Sequence, residues 1–122
     1  LFVIYAAENC SLACLENLVH RNGFGNDSDY SLLTISFPIT IKTIEIYSKD
    51  LPKDWNNATE NGHLICRTIG DTWIRNQKSA ILFVPSAIIP NEKNVLINPN
   101  HPDFKKIKFA TQPFAFDKRL AK

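Results

Sequence analysis

The sequence predicts an α+β fold, a compact mixed β-sheet core with a few helices. Three observations predict it. Apolar runs of strand length outnumber segments with helical periodicity, and the two kinds do not alternate as repeated βαβ units would. No internal repeat, linker or low-complexity tract divides the 122 residues. A chain of this length is expected to form one domain, residues 1–122, with a core that needs no staples.

Leu1 to Ala7 is a continuous apolar run rich in β-formers, which predicts a strand covered on both faces. Asn9 or Ser11 can cap a helix that runs to about His20. At about 100° per residue, Leu12, Leu15 and Val19 share one arc, which Leu18 and Cys14 extend, and Glu16 falls about 40° past Leu12. A carboxylate at the edge of a core costs free energy unless it is paired or useful. Arg21 to Asp29 reads as a loop, with Gly23 and Gly25 available for positive φ.

Tyr30 to Phe37 and Ile39 to Ser48 read as two strands separated by Pro38. In the second, Ile39 and Ile41 share one face while Ile44 and Ile46 share the other, which predicts a bulge or bend near Lys42. Asp50 to Asn57 is a turn-rich connector that Trp55 anchors to the core. A helix from about Thr68 to Gln77 places Ile69, Trp73 and Ile74 near one side. Ala80 to Val84 and Asn94 to Asn98 are short strands, and Lys108 to Phe116 holds a last one broken by Pro113.

The totals exclude several classes of function. A net charge of +2 is too small for a nucleic-acid surface, and the basic residues near the C-terminus read as a solvated tail. No apolar run is long enough to span a membrane, and the opening run has no basic leader. Cys10, Cys14 and Cys66 form no spaced disulfide framework, which favours a reducing cytoplasm. In that compartment the sequons at Asn26 and Asn57 carry no meaning. The chain has no methionine and starts at full hydrophobicity, so residues of the fold are expected to precede Leu1.

Few residues offer chemistry on their own. Cys10, Cys14, His63 and Cys66 could assemble a zinc site, but without a Cys-x-x-Cys pair buried structural cysteines are the preferred reading. Ser86 follows a buried strand, yet Val-Pro-Ser-Ala lacks the Gly-x-Ser-x-Gly elbow of a hydrolase. His20 lies one turn after Glu16, where it can pair with that carboxylate or meet the last helix carbonyls. His101, between Asn98-Pro99 and Pro102, reads as turn architecture, and Gly23-Phe-Gly25 does not open a phosphate-binding helix. Tyr5 lies toward the end of the first strand, close to the start of the Glu16 helix.

Taken together and in order, these residues resemble the RES-domain proteins over nearly the whole chain. The resemblance begins with Tyr5 and Glu16, eleven positions apart across a strand–helix junction, and with Leu18-Val19-His20. It continues through Leu51-Pro52, Asp54-Trp55, Gly70-Asp71, Trp73 and Val84-Pro85-Ser86-Ala87. It ends with Asn94-Val95-Leu96, Asn98-Pro99, His101-Pro102, Phe114, Phe116-Asp117 and Arg119-Leu120.

The resemblance implies a fold similar to ADP-ribosyltransferases and a toxin of a bacterial toxin–antitoxin pair that destroys NAD, in some members by phosphorolysis. It implies no resident cofactor, with NAD as substrate and phosphate as co-substrate. It also implies a cognate antitoxin with a DNA-binding Xre-like domain, with which the toxin assembles as an oligomer. By position, Glu16 looks like the family glutamate, Ser86 like the family serine and Tyr5 like an active-site aromatic. The family arginine belongs to a segment upstream of the first strand and has no match here. The residue types suit the chemistry: a carboxylate such as Glu16 stabilises positive charge on the ribose, and a hydroxyl such as Ser86 binds phosphate oxygens. Tyr5 suits stacking on nicotinamide or donation from its hydroxyl. Two alternatives remain open, an ADP-ribosyltransferase acting on a macromolecule and a non-catalytic module that engages an antitoxin.

Overall fold

A four-stranded mixed sheet forms the centre of the fold, in a computed structural model that describes residues 2–20, 30–56 and 60–121. The first strand, β1, is Ile4–Ala7, and the helix after it, α1, is Cys10–His20. Strands β2 and β3 are Tyr30–Ser36 and Thr43–Glu45. Helix α2 is Glu60–Asn76, followed by β4, Ile81–Pro85, and β5, Lys93–Ile97. The last strand, β6, is Lys108–Phe114. The central sheet has the order β1-β5-β4-β3, antiparallel except for the parallel pair β3–β4, and β2 with β6 forms a separate two-stranded sheet. This is an α+β arrangement, as the irregular succession of strands and helices predicts.

The register of the central sheet decides what reaches the site. Tyr5 lies opposite Leu96 and Ala7 opposite Asn94, while Leu82 and Val84 flank the same two β5 residues from the other side. Directly opposed residues share a face. One face therefore carries Tyr5, Asn94, Leu96, Leu82 and Val84, and it is covered by the helices. Trp73 and Ile74 of α2 pack with Leu82 in a buried cluster edged by Val3, Ile44, Ile46, Ile69, Val84 and Leu96. The opposite face presents Ile81, Val95 and Ile97, which pack with Ile41, Ala80 and Ile107 and with half-buried Ile35 and Phe37 of the β2 segment. Two cores thus lie on the two sides of one sheet.

Several expectations need correction. The run 1–7 is not a strand covered on both faces: β1 is an edge strand of the sheet, and Tyr5 is half exposed. A long apolar run specifies strand but not position in a sheet, and this run faces a cleft on its open side. The segment 39–48 holds only the short β3, because Ile39–Ile41 turns after Pro38 and Ile39 is fully exposed. The phase change at Lys42 therefore marks the end of a turn rather than a bulge. Helix α2 starts eight residues before Thr68, although Asn61 and Gly62 are weak helix formers. It ends at Asn76, and Gln77 after it, with φ of 55°, closes the helix in the left-handed region.

On α1 the buried line is Leu12 and Glu16, whereas Leu15 and Val19 are 40% and 51% exposed. The helix is rotated from its apolar arc because polar side chains on the sheet hold Glu16 inward. The loop 21–29 and the side chains of His20 and His63 lie outside the described residues. The connector reading stands: Trp55 is buried, and its carbonyl accepts from the Cys66 thiol.

Candidate active site

Asn9 starts the helix that carries the carboxylate. Its side-chain Oδ1 accepts from the backbone N–H of Leu12 at 2.8 Å, the usual N-cap contact. Two turns on, Glu16 faces the sheet and is 9% exposed. Ser86 follows β4 in the turn that leads to β5, and it is fully buried. Its hydroxyl donates to Glu16 Oε2 at 3.3 Å and accepts from the backbone N–H groups of Ile88 and Ile89, each at 3.1 Å. Every position on that hydroxyl is used. Ser86 in this arrangement holds its turn together and fixes one oxygen of Glu16.

Asn94 completes the group, and sequence reasoning missed it. Its Nδ2 donates to Glu16 Oε2 at 2.5 Å and to the Tyr5 hydroxyl at 2.6 Å. The amide orientation is dictated by the carboxylate, since an inverted Asn94 would set two acceptor oxygens against each other. Both amide hydrogens are then spent, and Oδ1 is left buried without a partner among the described residues. Such an orphan acceptor costs about 1–3 kcal/mol, so it is expected at a functional position rather than in a plain core. A signal did exist: alternation through Asn94-Val95-Leu96-Ile97-Asn98 places two amides on a buried face, where apolar residues are the rule.

The structure therefore brings Tyr5, Glu16 and Ser86 together, from three elements, through Asn94. It separates them with respect to solvent. A cleft of about 560 Å³ runs along β1 between the first half of α1 and β2, lined by Tyr5, Cys10, Cys14, Asn17, Tyr30 and Phe116 among others. Tyr5 is part of its wall, while Glu16, Ser86 and Asn94 lie behind. Among the described lining residues Glu8 is the only charged one, and none is cationic.

Burial of its hydroxyl end, then the Glu16 carboxylate and then Cys66, push the Tyr5 pKa up to about 12. The phenol stays protonated at any physiological pH. Because its oxygen already accepts from Asn94, its own hydrogen is free for an acceptor atom in the cleft. The sign of the shift gives a test. A raised folded-state pKa favours the protonated fold below the ordinary tyrosine value near 10 and loses that preference as the pH rises toward 12. In an ultraviolet titration of the folded protein, Tyr5→Phe is expected to remove a phenolate that appears near pH 12. Unchanged late ionisation in that variant would contradict the placement of the hydroxyl.

Other candidates do not gather. Cys10 and Cys66 are exposed and Cys14 is half-buried, so the three are not the buried structural cysteines expected. No group of three or more His, Cys, Asp or Glu among the described residues could hold a metal. His101 is turn architecture: Nδ1 accepts from Asp103 N–H and Nε2 meets the Gln77 carbonyl, each at 3.0 Å. No helix among the described residues is long and apolar enough to cross a membrane.

Comparison with known proteins identifies the family. The family model for the RES domain matches residues 2–118. The chain is 39% identical over 108 residues to the "Prs ADP-ribosylating toxin" of Sphingobium sp. (strain YBL2), covering 87% of this chain and 66% of that protein. It is 37% identical over 121 residues to "Toxin Res" of Yersinia enterocolitica, covering 96% and 76%. The "Toxin Res" of Photorhabdus laumondii is 39% identical over 122 residues, covering 98% and 76%. The chain thus spans two thirds to three quarters of the length of these relatives. On a match over nearly its whole length, the chain belongs to the RES domain family.

Proposed function

We propose that this chain is the catalytic part of a toxin that degrades NAD by cleaving the nicotinamide–ribose bond. The observation that carries the reading is the hydrogen-bonded network in which Tyr5, in the wall of the cleft, is joined through Asn94 to the buried Glu16 and Ser86 behind it. Loss of nicotinamide builds positive charge on the ribose, and Glu16 is the negative group nearest the cleft-facing hydroxyl. Its Oε2 is tied down by Ser86 and Asn94, while no described residue donates to Oε1. A carboxylate held in place by such contacts stabilises developing charge without having to reorganise. Tyr5 offers an aromatic face and a donor hydroxyl to the part of NAD that meets it.

Ser86 and Asn94 act as positioning residues in this scheme, holding Glu16 and Tyr5. The described cleft supplies no cation for the pyrophosphate, a role that suits the arginine implied by the family resemblance. The same resemblance supports a cognate antitoxin as partner, with its Xre-like domain, and phosphate as the acceptor.

A second reading has its own support, since one relative is named an ADP-ribosylating toxin: the ADP-ribose unit would pass to a macromolecule rather than to phosphate or water. One experiment separates them. NAD labelled in its adenylate half is incubated with the protein, phosphate and cell extract. Phosphorolysis gives ADP-ribose 1″-phosphate, hydrolysis gives ADP-ribose, and transfer gives labelled protein or nucleic acid. The expected product is the phosphate ester. Intact NAD under all conditions, with chain extended to the full length of its relatives, would refute the NAD-consuming reading.

A further inference from the structure

Cys10 and Cys14 stand one turn apart on α1 and line the same cleft, the first exposed and the second half-buried. Nothing in the proposed chemistry uses them. Residues at i and i+4 on a helix hold their Cβ atoms about 5–6 Å apart. A disulfide needs Cβ atoms roughly 3.5–4.5 Å apart, so oxidation to an intrahelical cystine would require the helix to unwind. A bridging metal adds the missing length, because metal–thiolate bonds of about 2.3 Å accommodate sulfurs up to roughly 4.6 Å apart in line.

We propose that Cys10 and Cys14 form a two-thiolate site for a soft monovalent d10 cation, copper(I) above all, in the wall of the cleft beside Tyr5. The two side chains lie one turn apart on α1 and line the same stretch of the cleft, a separation that a linear two-thiolate bridge can span without unwinding the helix. Burial, and then the neighbouring Cys10 thiol, push the Cys14 pKa up, so Cys14 is a thiol rather than a thiolate before metal arrives. Binding is therefore an exchange: two S–H bonds break, two S–Cu bonds form, and two protons leave for each cation, with no change in oxidation state.

Zinc is a poorer fit, since it takes four ligands and the described residues offer no third His, Cys, Asp or Glu at the pair. Soft thiolate pairs instead favour copper(I). No cationic side chain among the described lining residues opposes its entry. The inference is independent of whether NAD is the substrate.

The test is an anaerobic competition in which reduced protein, titrated with copper(I), contends with a chromophoric copper(I) chelator. The expected result is one tight equivalent per chain for the wild type and for Cys66→Ser. Cys10→Ser and Cys14→Ser should each bind at least 100-fold more weakly, and a weakly buffered wild-type sample should release two protons per cation. A tight equivalent surviving in either of those two variants, or lost in Cys66→Ser, would overturn the assignment. So would a wild-type chain that cannot compete with the chelator at all.

Discussion

Asn94→Asp is expected to lower nicotinamide release by about 100-fold at neutral pH and to make both activity and stability rise as the pH falls. The wild-type amide gives one hydrogen to Glu16 Oε2 and the other to the Tyr5 hydroxyl, in a position only 1% exposed. An aspartate there has nothing to donate when ionised and sets a second negative charge against Glu16. Losing a hydrogen bond to a charged group costs about 1.5–3 kcal/mol. Two carboxylates this close share a proton, so the pair's apparent pKa rises. A raised folded-state pKa contributes stability at acid pH that is lost as the pH climbs through it. The variant should therefore regain thermal stability relative to wild type between about pH 8 and pH 5, and regain rate over the same interval as the shared proton restores a donor. A residue needed only for packing would give no such inverted pH dependence. Flat profiles parallel to wild type would remove Asn94 from the site.

Trp73→Ala is expected to have the largest effect on stability, about 3–5 kcal/mol. The ring is 4% exposed and packs with Ile74 and Leu82 under the helix-covered face of the sheet. Its Nε1 donates to Ser79 Oγ at 3.0 Å, and that hydroxyl donates to the Ile81 carbonyl at 2.8 Å, so the indole also fixes the entry into β4. Domains of this size are stable by only about 5–15 kcal/mol. Chemical denaturation should show the midpoint falling steeply for Trp73→Ala, and by markedly less for Trp73→Phe, which keeps one aromatic ring in the core while losing the hydrogen bond and part of the buried surface. Similar losses in the two variants would mean that the indole N–H, not the buried surface, dominates.

Local pattern carried much of this fold. The β-branched runs at Tyr30–Ser36, Ile81–Pro85 and Lys93–Ile97 are strands within a residue or two of expectation, since burial on a sheet requires those side chains. What pattern did not encode was neighbourhood. The run 1–7 reads as central because both its faces are apolar, yet it is an edge strand that borders a cleft. On α1, periodicity put Leu15 and Val19 inside, while the hydrogen bonds from Ser86 and Asn94 turned Glu16 inward instead. Those partners lie 70 and 78 positions away, beyond the reach of any local rule.

The candidate site divides in the same way. Glu16 stood out by its spacing at the edge of the apolar arc, whereas Tyr5 and Ser86 became candidates only through the family resemblance. The network that joins them was not legible: alternation marks Asn94 as an amide on an apolar face, but only the register, which sets it opposite Ala7, shows that it meets Tyr5 and Glu16.

The proposed role of Glu16, as the charged group of an NAD-cleaving site, is tested most directly by nicotinamide release from Glu16→Gln. Glutamine keeps the volume and leaves an oxygen for Ser86 and Asn94, so folding should survive and a thermal scan can verify that. Removing one preorganised electrostatic group typically costs 10²–10³-fold in rate. Glu16→Gln should release nicotinamide at least 100-fold more slowly with the fold intact, and a folded Glu16→Gln that releases it at the wild-type rate would contradict this role.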